Sequence, residues 1–236
     1  ICVFTTGSHT FGFVAAGASA AILALVFAVL AITFRVNQVA TGLAISVLGI
    51  GLSALFGKNF ESFTVAGLPK LEITVLSSVP LLGTTLIKQD VFVWLVVLAT
   101  ILLWVILNRT KAGLVIHAIG ENAEAARSLG YPVALIQYGA VAFGGAMAGL
   151  GGAYAATVYT PLWADGMIAG RGWIALALVV FGSWQTGRIA FGAILFGALS
   201  LGELITQAAG VNLPSQLLSS LPYIATIVML VVIARR

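Results

Sequence analysis

Along this chain the apolar residues fall in long runs, and the polar residues are confined to the gaps between them. The runs are Phe11 to Phe34, Val39 to Phe56, Val91 to Leu107, Val133 to Thr157, Ile189 to Thr206 and Leu221 to Ile233. An α-helix needs roughly twenty apolar residues to cross a bilayer, so runs of this kind predict membrane-spanning helices. Ile174 to Phe181 is too short to cross about 30 Å as a straight helix on its own apolar residues. It is either a half-helix or a span extended by Arg171 to Gly172 at one end and Ser183 to Gln185 at the other. Irregular backbone at membrane depth is tolerated only beside protein or an aqueous cavity, which places this segment next to any path through the bundle. The pattern predicts an all-α fold, a polytopic transmembrane helix bundle with about seven crossings, one of them short or broken. Lys58 to Asp90, interrupted around Pro69 and Pro80, reads as a long loop with short interfacial helices, and residues 1 to 10 carry no clear pattern. His9 reads as a solvated loop residue.

One interruption differs from the others. Asn108 to Pro132 concentrates Arg109, Lys111, His117, Glu121, Glu124 and Arg127 between two apolar runs, so it sits in water while its flanks sit in lipid. Its second half predicts a short helix outside the bilayer. Asn122 is a good N-cap, and Ala123-Glu124-Ala125-Ala126 is a strong helix former. Glu124 lies near the positive end of the helix dipole and Arg127 near the negative end. Gly130 suits a left-handed C-terminal position, and Pro132 forbids continuation. A helix of about eight residues spans only about 12 Å and is too short to be stable alone, so its presence predicts a docking partner.

Composition sharpens this picture. The 236 residues are 61% hydrophobic and 8% charged, which excludes a soluble reading. The formal charge of +4 reflects basic residues at the inner membrane face and does not imply nucleic acid. The single cysteine, Cys2, excludes an internal disulfide and a cysteine metal site. If the island is cytoplasmic, alternation places Arg35, Arg109, Lys111, Arg127, Arg188, Arg235 and Arg236 inside, and Lys58, Lys70, Lys88 and Arg171 outside, in accord with the excess of basic residues on the inner face. The first residue then lies outside. With no initiator Met and no signal peptide, the expectation is an N-terminally incomplete chain.

Catalytic chemistry is not visible. An intramembrane enzyme needs paired carboxylates, a nucleophile beside a base, or a metal cluster within the spans. His117 stands without a matching partner, and Glu203, the one carboxylate within a predicted span, lies about one turn from the outer end at Gln207. A proton-coupled secondary transporter needs ionisable relays and repeated halves, which this sequence does not show. The small residues are more telling. Gly42, Ser46 and Gly49 put a small-residue seam on one helix face, either for close packing or to line a translocation path. Gly145 and Gly149 form a GxxxG pair that predicts tight packing inside a bundle. None of these glycines follows a soluble strand, so phosphate binding is not indicated.

Gly120-Glu121-Asn122-Ala123-Glu124-Ala125-Ala126-Arg127 followed by Gly130 resembles the cytoplasmic loop of permease subunits of bacterial ABC importers for simple sugars, nucleosides and branched-chain amino acids. The resemblance extends over nearly everything from about Phe27 onward. Asn37-Gln38-Val39 with Gly42-Leu43-Ala44, the segment from Gly49 to Gly57, Asn108-Arg109-Thr110, Ala169-Gly170-Arg171-Gly172-Trp173-Ile174-Ala175-Leu176-Ala177 with Phe181-Gly182-Ser183-Trp184, and Pro214 to Tyr223 all look like the nucleoside and simple-sugar branch. Ala123 departs from the proline that many relatives carry there.

This resemblance implies a single transmembrane permease domain over residues 1–236, with a cytoplasmic coupling loop at 109–131. It implies ATPase coupling through Gly120, Glu121, Asn122, Ala123, Glu124, Ala125, Ala126, Arg127 and Gly130, within a coupling helix from about Glu121 to Leu129. The implied partners are an ABC ATPase subunit holding ATP and magnesium, a second homologous permease subunit and an extracytoplasmic substrate-binding protein. The chain itself is expected to carry no catalytic residue, metal or cofactor, since it has no Walker A loop. Along the path the expected residues are Asn37, Gln38, Ser46, Trp163, Arg171 and Trp173, with Arg171 alternatively an interfacial anchor. The expected setting is the bacterial cytoplasmic membrane. A nucleoside is the first expected substrate, then a ribose-like sugar, then a branched-chain amino acid.

Overall fold

The structure is a computed structural model that describes residues 1–61, 90–168 and 170–209, together with Ser220 and Ile224. Its helices in order are α1 (Cys2–Thr6), α2 (His9–Ala28), α3 (Gln38–Gly57), α4 (Val91–Arg109), α5 (Lys111–Glu121), α6 (Ala123–Ser128), α7 (Val133–Tyr154), α8 (Arg171–Phe181) and α9 (Thr186–Ala208). Both α2 and α7 run on into a π-helical turn, at Val29–Thr33 and Ala155–Tyr159 respectively, and α3 ends in a 3₁₀ turn at Lys58–Phe60. Among the described residues five helices are long and apolar enough to cross a membrane, and α8 is shorter. The chain is thus an all-α, multi-pass membrane protein. The expected last span, Leu221 to Ile233, and most of the loop between Lys58 and Asp90 lie outside the described residues.

Local chemistry explains where the helices start. Ser8 caps α2 by accepting from the Phe11 N–H, and His9 is consequently the first residue of a helix, not a loop residue in water. It is half-buried, and its Nδ1 is buried without a hydrogen-bond partner. Asn37 caps α3, its Oδ1 accepting from the Val39 N–H at 3.0 Å and the Ala40 N–H at 3.1 Å. The segment from Cys2 to Thr6, patternless as sequence, is helical and ends at Gly7, whose φ of 68° is left-handed.

Two compact units divide the chain: Ile1–Leu98 with Leu107–Ile168, and Ala99–Ile106 with Ala169–Arg236. The first unit is built on the antiparallel pair α2 and α7. Ala16, Ala20 and Ala24 recur every four residues and present one row of α2 to Gly145 and Gly149 of α7. A Cβ on Gly145 would lie 2.9 Å from the Ala20 carbonyl oxygen, and one on Gly149 would lie 2.7 Å from the Ala20 Cβ. Only glycine lets the backbones approach this closely, so the GxxxG pair packs as its spacing predicts. At one end of the pair, Phe13 of α2, Phe92 of α4 and Tyr154 of α7 stack in a column, with ring centroids 4.7 and 5.0 Å apart. At the other, the Thr33 and Tyr138 hydroxyls are hydrogen-bonded at 2.5 Å.

In the second unit α8 turns into α9 through Gly182-Ser183-Trp184. Ser183 and Trp184 both have positive φ, 48° and 63°, an unfavourable conformation for residues with side chains. Gly182 packs against Ile189, where a Cβ would lie 3.0 Å from the Ile189 nitrogen.

Candidate functional site

The charged island folds as two consecutive helices. Its first half, to which the sequence pattern assigns no element, is α5, which Thr110 caps by accepting from the Gly113 N–H at 3.2 Å. Asn122 joins the two. Its N–H closes α5 on the Ala118 carbonyl at 3.0 Å, while its Oδ1 opens α6 by accepting from the Glu124 and Ala125 N–H groups at 3.1 and 3.0 Å. At the other end of α6, Gly130 takes φ 87°, its N–H donates to the Arg127 carbonyl, and the Tyr131 N–H donates to the Ala126 carbonyl. These two bonds close the helix in a Schellman motif, as the placement of Gly130 and Pro132 predicts.

What holds so short a helix is inside the chain. Ala126 of α6 is 2% exposed and packs in a small core with Ile119 of α5, at 6%, and Val133 of α7, at 2%. Val115, Ala123 and Ile136 border this core. Docking on a partner is therefore not what forms α6, which corrects the inference from its length. Three helices converge on Ala126, and the opposite face of α6 is left to solvent, with Glu124, Ala125, Arg127 and Ser128 all exposed. Leu129, just past the helix, is 77% exposed. Glu121 and Gly120 at the end of α5 are exposed as well, and a Cβ on Gly120 would meet nothing within 4 Å.

A six-residue helix, capped at both ends, is seated on the first turn of α7 through the contact of Ala126 with Val133. Among the described residues no three His, Cys, Asp or Glu side chains come together in a group able to hold a metal ion.

The other expected site residues are distributed along α3 and the second unit. Asn37, as the cap, and Gln38, as the first residue, stand at one end of α3. Ser46, two turns on, donates its hydroxyl to the Gly42 carbonyl at 2.8 Å. Trp163 lies at the far end, its ring against Gly57 and its backbone bridged to Glu61. Asn37 and Trp163 are thus separated by the length of α3, about 30 Å at helical rise. Arg171 and Trp173 belong to the first turn of α8, and both are exposed, Trp173 at 65%. Of the seam on α3, a Cβ on Gly42 would lie 3.9 Å from the Phe27 ring, while one on Gly49 would meet nothing within 4 Å. Glu203 falls on α9.

Sequence reasoning missed the pair Thr33 and Tyr138. Their residue types are ordinary in a span, and they stand 105 residues apart.

Comparison with known proteins agrees with a membrane permease. The family model described as "Branched-chain amino acid transport system / permease component" matches residues 5–234. TsgC13 of Haloferax volcanii, provisionally named a glucose ABC transporter permease protein, is 36% identical over 95% of this chain and 75% of its own. The guanosine ABC transporter permease protein NupQ of Bacillus subtilis is 31% identical over 92% of this chain and 70% of its own. The nucleoside ABC transporter permease protein NupC of Lactococcus lactis is 29% identical over 89% of this chain and 68% of its own. No solved structure matches the chain significantly.

Proposed function

The chain belongs to the family of permease components typified by branched-chain amino acid transport systems, and from that premise we propose that it carries a nucleoside or simple sugar inward as the permease subunit of an ABC importer. The observation that carries this reading is the seat of α6. A capped helix fixed to the start of a spanning helix, with its polar face turned outward, is the form of a part that receives a push from another protein. An ABC ATPase subunit holding ATP and magnesium supplies that push, and the permease undergoes no chemical change. A second permease subunit completes the path, and a substrate-binding protein outside the membrane delivers the solute. The setting is the cytoplasmic membrane, with the island on the inner side.

The relatives favour this solute class over an amino acid, since their names give glucose, nucleoside and guanosine. A hexose and a nucleoside share a polyhydroxylated ring. Asn37, Gln38, Ser46, Trp163, Arg171 and Trp173 supply amide, hydroxyl, guanidinium and indole groups suited to such a ring. The test is uptake by proteoliposomes carrying the assembled importer with its binding protein, offered guanosine, glucose, ribose and leucine in turn. ATP-dependent uptake of guanosine or a sugar is expected. Uptake of leucine alone would overturn the substrate class, and uptake that persists without ATP would overturn the ABC reading.

A further inference from the structure

The island and the turn between α2 and α3 are far apart in sequence, and each packs against the first turns of α7. The connection begins in the small core, where Ile136 packs beside Val133 and Ala126. Two residues further along α7, the half-buried Tyr138 reaches across to α2, its hydroxyl hydrogen-bonded to that of Thr33 at 2.5 Å. Thr33 is the last residue of the π-helical turn that ends α2. This turn is wound more widely than an α-helix, with the Phe34 N–H donating to the Val29 carbonyl and the Val36 N–H to the Leu30 carbonyl, both at 3.1 Å. Arg35 follows with φ 52°, in the left-handed region that is unfavourable for a residue with a side chain. Asn37 then caps α3, and its carbonyl also accepts from the Thr41 hydroxyl at 2.8 Å.

Elsewhere α2 and α7 meet largely through Ala and Gly, a seam that brings the backbones close by packing. The hydroxyl pair is directional and sets the register of the two helices at the end nearest the island. Strained backbone and π-helical turns recur where a protein changes conformation, and here the π-helical turn ends at Thr33 and the strained Arg35 follows it, just before Asn37. We propose that Tyr138 is a positioning residue for transport, carrying displacement of α6 through its hydrogen bond with Thr33 to the α2–α3 turn and so to Asn37 and Gln38 at the head of α3. This rests on the permease reading above.

The test uses the complete importer in proteoliposomes and measures solute taken up per ATP hydrolysed, a ratio that a change in the amount of folded protein does not move. Tyr138→Phe keeps the ring and removes the hydroxyl, and it is expected to lower the ratio by about fivefold, a usual size for coupling between sites. Thr33→Val is expected to do the same, the double variant no more than either single, and Thr33→Ser to keep the wild-type ratio. A wild-type ratio in Tyr138→Phe, multiplied losses in the double variant, or a loss in Thr33→Ser equal to that of Thr33→Val would each overturn the proposal. A working wild-type importer with an unaffected Tyr138→Phe variant overturns this inference alone. A wild-type importer without ATP-dependent uptake of a sugar or nucleoside overturns the permease reading, and this inference with it.

Discussion

Gly145 of α7 faces Ala20 of α2 so closely that a side chain has nowhere to go: its Cβ would stand 2.9 Å from the Ala20 carbonyl oxygen. Backbone cannot retreat from such a contact as a flexible side chain can, so a substitution here must push the two helices apart. Gly145→Leu is expected to cost about 3 kcal/mol through overpacking and lost helix contact, and to lower the thermal unfolding midpoint in detergent. Gly144→Ala is the control, since a Cβ there meets nothing within 4 Å and alanine favours helix by about 1 kcal/mol. If the two variants unfold at the same temperature, the α2–α7 seam is not as close as the structure makes it.

Asn122 holds two helix ends at once. Replacing it with alanine removes the acceptor for the Glu124 and Ala125 N–H groups. The expected cost is about 1 kcal/mol, felt locally, because the small core still seats Ala126. Hydrogen exchange should therefore quicken at the amides of α6 but not in the middle of α7, and Asn122→Asp, which keeps the acceptor, should leave exchange unchanged. Equal protection of α6 in Asn122→Ala would show that the cap contributes nothing.

Trp163 lies over Gly57 with no room between them. Gly57→Val is expected to displace the indole and loosen the loop that follows α7, seen as faster proteolysis of that loop. Adding Trp163→Ala should restore part of the loss, since the steric conflict needs both side chains. Purely additive effects would place the ring elsewhere.

The fold was legible where one physical signal dominated. Apolar runs of membrane-spanning length gave the ends of α2, α3, α4 and α7 to within a few residues, because no other arrangement satisfies the backbone in lipid. The cap at Asn122 and the stop at Gly130 were legible because each uses a strong local preference. The first half of the island went unassigned, since Lys111, Gly113 and His117 interrupt the apolar pattern. The signal there was weaker: Val115 and Ile119, one helical turn apart, both turn to the small core. That core joins residues from three helices, so the support of α6 could not be read from α6 alone. Nor could the hydroxyl pair of Thr33 and Tyr138, or the indole on Gly57, because each depends on a long-range approach that leaves no local mark.

The central claim is that the outward face of α6 receives the ATPase. Glu124 and Ala125 are both exposed there, on the side away from Ala126, so changing them should spare the seat on α7. Glu124→Lys with Ala125→Trp reverses a charge and adds bulk where the partner would lie, and the double variant should still insert in the membrane at the wild-type level. Its ATP-driven uptake in proteoliposomes, measured with the ATPase and binding protein present, is predicted to fall to the background seen without ATP. Uptake at the wild-type rate from the same variant would contradict the account.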